Sequence, residues 1–68
     1  MKIGQAIKQT VHSLIDEKRG QGDVPPYATS VEVAHLLGIN ALEVERIAKN
    51  VDGLEIVKIE NHEIYYEV

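Results

Sequence analysis

The sequence predicts a mainly helical α+β domain, three helices followed by a C-terminal β-hairpin, and three observations carry that prediction. Residues 2–19 repeat apolar side chains at helical spacing. Two helix-capping sequences begin at Thr29 and at Asn40. Residues 54–68 are rich in β-branched and aromatic side chains around a central Asn61-His62. The 68 residues make one domain, 1–68, near the size at which a single core supports itself. A chain this short buries roughly 60% of the surface that its unfolded form exposes.

Helix 2–19 rests on Ile3, Ile7, Val11, Leu14 and Ile15, with Ala6 and Thr10 filling the same stripe. Lys2, Gln5, Lys8, Gln9, His12, Asp16 and Arg19 fall elsewhere, which leaves one apolar face to bury. Lys18 and Arg19 complement the dipole of the last turn, and Gly20 suits the left-handed stop position. The connector 20–28 follows. Its glycines break the helix, and Pro25 and Pro26 force extended backbone. Val24 to Ala28 then suits a short edge strand.

Thr29-Ser-Val-Glu32 has the pattern of a capping box, in which the hydroxyl accepts from the third helical N–H and the carboxylate reaches back to the cap. Helix 29–37 continues with Val31, Val33, Ala34 and Leu37 and stops at Gly38. Asn40-Ala-Leu-Glu43 repeats the pattern and opens helix 40–51, with Val44, Ile47, Ala48 and Val51 at inward spacing, ending near Asp52-Gly53.

Hairpin 54–68 places Asn61-His62 in a two-residue turn, where Asn favours the positive φ of type I′. The register is then 60–63, 59–64, 58–65, 57–66, 56–67 and 55–68. Cross-strand partners share a face, so Val57, Ile59, Ile64, Tyr66 and Val68 form the core side. Ile56, Lys58, Glu60, Glu63, Tyr65 and Glu67 fall on the other.

Hydrophobic residues are 44% and charged residues 26% of the chain, an ordinary globular balance. There are no cysteines, hence no disulfides or thiolate metal sites, which fits a reducing compartment. No apolar run suits a membrane span and no stretch has the layout of a signal peptide, so the expected location is cytoplasmic. Net charge is −4, and its distribution is uneven. Lys2, Lys8, Lys18 and Arg19 make residues 1–19 basic, whereas Glu55, Glu60, Glu63 and Glu67 surround Lys58 in the last fifteen residues.

The stretch Ser30–Lys49 resembles the helix-turn-helix of bacterial, archaeal and phage DNA-binding proteins. Ala34 is the small residue that lets two helices approach, and Gly38 is the turn glycine four residues on. Val33, Leu37, Ile39, Val44 and Ile47 occupy the inward positions. With the order helix, extended segment, helix, helix, hairpin, the whole chain resembles the winged helix-turn-helix superfamily. The resemblance implies a three-helix bundle carrying a helix-turn-helix, with residues 54–68 as a β-hairpin wing. It further implies a small transcriptional regulator that binds double-stranded DNA and reads the major groove with helix 40–51. Asn40, Ala41, Leu42, Glu45, Arg46 and Lys49 would face the DNA, Asn40 toward adenine, Arg46 toward guanine or phosphate, and Ala41 or Leu42 toward a thymine methyl. Thr29 and Ser30 would hold a phosphate. Lys58, Asn61 and His62 would contact DNA from the wing, its Asn61-His62 tip over the adjacent backbone or minor groove.

Bland roles stand beside these. Thr29 and Asn40 are caps in any case, Glu43 is a capping partner, and Arg46 and Lys49 also suit a solvated face. His12, His35 and His62 lack metal-ligand spacing. A wing tip where Glu60 and Glu63 oppose each other, with Lys58 behind, is poorly suited to a DNA backbone. The DNA-binding regulator would act as a homodimer or beside a basic partner. The alternative is a winged-helix protein-interaction module with an acidic wing that does not bind DNA, in which Leu42, Ile56, Glu60 and Glu63 meet a protein partner. No enzymatic signature is present: no Gly-rich phosphate loop after a strand and no paired nucleophile and base. No cofactor, metal or small-molecule substrate is expected.

Overall fold

The computed structural model describes residues 2–22, 26–60 and 63–67. They form a small, mainly helical α+β domain in the order α1 (Ile3–Gly20), β1 (Ala28–Thr29), α2 (Ser30–Leu37), α3 (Ala41–Ala48), β2 (Glu55–Glu60) and β3 (Glu63–Glu67). The three strands make one antiparallel sheet in the order β1-β3-β2, so the last strand lies in the middle.

α1 presents Ile7, Val11, Leu14 and Ile15 to the core at helical spacing. Ile3, expected on that face, is 43% exposed, because it stands at the first turn beyond the edge of the core. The helix runs through Gly20, and the positive φ expected there belongs instead to Gly22, at 88°. Of the expected strand 24–28, Ala28 is paired and Val24 lies outside the described residues.

α2 begins with the full capping box. Thr29 Oγ1 accepts from the Glu32 amide at 3.2 Å, and Glu32 Oε1 accepts from the Thr29 amide at 3.2 Å. Gly38 closes the helix at φ 69°, a left-handed conformation that costs glycine no Cβ clash. The second cap is simpler than the sequence suggests. Asn40 Oδ1 accepts from the Leu42 amide at 2.8 Å, while the Glu43 carboxylate turns to Arg46 rather than back to the cap. α3 ends at Ala48, three residues before the expected end, and passes into a turn at Lys49–Asn50.

The core joins α1, α2 and α3 to one face of the sheet: Ile7, Val11, Leu14, Ile15, Ala28, Val33, Ala34, Val44, Ala48, Ile64 and Tyr66. Leu37, Ile39, Ala41, Ile47 and Leu54 pack around it.

The hairpin departs from plain alternation at one point. Glu60↔Glu63, Ile59↔Ile64 and Lys58↔Tyr65 pair as expected, but Ile56 pairs with Tyr66 and Glu55 with Glu67. Val57 is thus the extra residue of a β-bulge. The bulge replaces the expected pairs 57–66 and 56–67, and it brings Ile56 onto the face shared by Ile64 and Tyr66. The pair 55–68 and the turn Asn61-His62 involve residues outside those described.

Burial corrects the expected core side as well. Ile64 and Tyr66 are buried, whereas Ile59 is 70% and Val57 is 37% exposed. The reason is position in the sheet. β3 is flanked by β1 and β2 and covered by α2, while β2 is the outer edge and, among the described residues, packs chiefly on β3 rather than on a helix.

Candidate functional site

The exposed side of α3 is built by its own period. Val44 and Ala48 are buried, which turns Leu42, Arg46 and Lys49, at i, i+4 and i+7, outward. Leu42 is 71% exposed. Asn40 stands exposed at the helix start with its carbonyl oxygen engaged in the cap. Ala41, expected outward, is half-buried against the core. Glu45 is half-buried, on the side of α3 that reaches Tyr66.

Arg46 Nη2 lies 2.6 Å from Glu43 Oε2 in an exposed i,i+3 ion pair. The hydrogen bond and the Arg46 charge hold the Glu43 carboxyl below its ordinary range, and the same partner raises Arg46 further. An exposed pair of this kind contributes little to stability and yields readily to a competing anion.

Thr29 and Ser30 have interior roles. Ser30 is fully buried, and its Oγ accepts from the Ile64 amide at 3.1 Å. Thr29 is 9% exposed, and its hydroxyl lies 3.0 Å from Glu32 Oε1. Neither hydroxyl faces the solvent side of α3.

Glu32 is tied more tightly than a capping partner needs to be. Lys18 Nζ reaches its Oε1 at 2.6 Å and also donates to the Tyr27 carbonyl, clamping the end of α1 to the start of α2. Burial alone would raise the Glu32 carboxyl. Hydrogen bonds from Lys18 and Thr29, with the Lys18 charge, outweigh it and leave the group below its usual value.

Two basic residues at the start of α1, which the sequence did not lead us to expect on the same face, stand beside α3. Lys2 and Lys8 line a shallow groove with Gly4, Gln5, Ile47, Asn50 and Val51, between the start of α1 and the end of α3. Gly4 permits the approach: a Cβ there would stand 3.2 Å from Val51 Cγ2. The Lys8 side chain crosses over Gly53. Periodicity put these lysines off the buried face; only the packing of α1 on α3 brings them to this groove.

On the hairpin, Lys58 Nζ lies 3.2 Å from Glu60 Oε2, both exposed, and Ile56 is 43% exposed. Glu63 pairs with Glu60 in the register. Asn61 and His62 lie outside the described residues. Among the described residues no group of three His, Cys, Asp or Glu side chains is placed to hold a metal ion. Among the described residues no helix is long and apolar enough to cross a membrane.

Comparison with protein-family models, curated proteins and solved structures finds no match for this chain.

Proposed function

We propose that the chain is a winged helix-turn-helix module that binds duplex DNA through the exposed side of α3. The observation that carries this reading is the uncovered stripe Leu42–Arg46–Lys49 on the second helix of a short-turn helix pair. A helix so presented is free to enter a major groove N-terminus first. Asn40 and Arg46 supply hydrogen-bonding groups and Leu42 an apolar contact suited to a thymine methyl. Lys49, with Lys2 and Lys8 in the adjoining groove, supplies phosphate contacts. The acidic hairpin is the wing of this arrangement and lies away from the backbone. In this reading the chain acts as a small transcriptional regulator.

Few cations serve that surface, so binding to random duplex should be weak and strongly salt-dependent. With about three phosphates neutralised, raising salt from about 50 to 200 mM should lower affinity roughly 40-fold. Titration into random-sequence duplex at both salts tests it. Arg46→Ala with Lys49→Ala should abolish binding while the far-UV spectrum stays unchanged; full binding by that double variant overturns the reading.

Leu42 favours a second reading, a protein partner docked on α3. An aliphatic side chain 71% exposed at the centre of the stripe is a suitable anchor for an apolar contact. Affinity indifferent to salt and lost on Leu42→Asp would select it over DNA.

A further inference from the structure

β2 is an open sheet edge. Its inner side pairs with β3, and among the described residues no strand pairs with its outer side. Which backbone groups face outward follows from Ile64. The Ile64 N–H points to Ser30 Oγ, away from β2, so Ile59↔Ile64 is a non-hydrogen-bonded pair. Ile59 therefore turns its own N–H and C=O to the free edge. Its side chain shares the face of buried Ile64, yet it is 70% exposed on a strand that packs chiefly on β3.

We infer that this edge pairs with β2 of a second copy of the chain, antiparallel, about a two-fold axis at Ile59. In that register each Ile59 exchanges both backbone hydrogen bonds with Ile59 of the second copy, and the two side chains meet on the helix-side face. Lys58 then stands opposite Glu60 of the second copy, and Glu60 opposite its Lys58. Both are non-hydrogen-bonded pairs, where side chains approach most closely. The two intrachain Lys58–Glu60 contacts, each 3.2 Å, join into a ring of four alternating charges. A lysine on an edge strand ordinarily opposes self-pairing; here the carboxylate two residues on converts it into a complementary partner. A shift of the axis to Lys58 would set Lys58 against itself, and a shift to the midpoint of 57 and 58 would set Glu55 against Glu60. Charge therefore disfavours both of these shifts relative to the register centred on Ile59. The bulge at Val57 ends the regular stretch just before it. The resulting interface is isologous and joins two three-stranded sheets into one of six strands.

Charge exchange tests the inference in the absence of DNA, so its outcome is independent of α3. Sedimentation equilibrium of the intact chain from micromolar to near-millimolar concentration should show a monomer–dimer equilibrium. Lys58→Glu sets Glu against Glu, and Glu60→Lys sets Lys against Lys; each should weaken the dimer at least tenfold. An equal mixture of the two variants restores opposite charges at both positions and should dimerise, although each variant has lost its intrachain ion pair. Amide spectra of each single variant establish that it is folded. A chain that stays monomeric throughout the range, or a dimer unaffected by either substitution, overturns the inference. So does a mixture no more associated than its components.

Discussion

The Ser30 hydroxyl, at the first residue of α2, accepts the backbone N–H of Ile64 in the central strand at 3.1 Å. β1 ends at Thr29, opposite Tyr65, so the next amide along β3 has no strand residue to receive it. A side-chain oxygen fully shielded from water takes that place.

Replacing Ser30 with Ala should leave a buried donor unpaired at a cost of about 1–3 kcal/mol. In a domain of this size, each kcal/mol lowers Tm by roughly 4–8 °C. Calorimetry of Ser30→Ala beside Ser30→Thr, which keeps the hydroxyl, measures the effect; equal Tm for the wild type and the alanine variant would refute the role of this bond.

Glu32 makes stability depend on acid. Its carboxyl is held below the ordinary value by Lys18 and Thr29, so the folded state favours the ionised form. That contribution is complete above the unfolded value near 4.5 and is lost as pH falls through the folded value. Glu32→Gln should flatten the acid limb of urea denaturation midpoints below about pH 4.5. Gln keeps the oxygen that accepts from the Thr29 amide, so the cap survives, and the cost at neutral pH is that of the lost Lys18 ion pair, about 0–1 kcal/mol. An acid limb unchanged in the variant would refute the assignment.

Tyr66 is fully buried, and among the described residues its hydroxyl has no hydrogen-bond partner. Desolvation, with the nearby Glu45 charge, pushes its ionisation up to about 12. Stability from this group is whole below the unfolded value near 10 and is lost as pH rises toward 12. Tyr66→Phe keeps the ring and removes the orphan oxygen. The variant should be as stable as the parent or more so by about 1 kcal/mol. It should also lack the late step in the ultraviolet phenolate titration. A loss of stability above that size would mean the hydroxyl is bonded after all.

Gly38 stops α2 at φ 69° with open space around the position of a Cβ. Strain alone therefore sets the cost of a side chain there. Gly38→Ala should destabilise by about 1–2 kcal/mol, and Gly38→Asn, which tolerates the left-handed region, by less. Equal losses for the two would point to a cause other than backbone conformation.

The helices were legible because their signals are local. Apolar spacing located α1, the Thr29–Glu32 box located α2, and the cap at Asn40 located α3. Three pairs nearest the hairpin tip were legible for the same reason. The bulge at Val57 was not, because one extra residue leaves no compositional trace yet exchanges the faces of everything beyond it. Exposed Ile59 escaped notice because alternation records which face a residue occupies, not how far the helices extend over it. Of the candidate site, the outward positions of Leu42, Arg46 and Lys49 followed from the period of α3. Buried Ser30, and the lysines at positions 2 and 8 beside α3, depend on contacts between distant segments, which spacing does not encode.

Placing the last strand in the middle of the sheet has a consequence for how the chain reaches its fold. The helical segments come first, yet the layer they close upon is supplied by Ile64 and Tyr66. Until those residues arrive, β1 has no neighbour, and the apolar faces of α1 and α2 have nothing to complete them. The hairpin is thus not an appendage to a finished helical bundle. Helices and sheet should form in a single cooperative step, with the final segment acting as the latch.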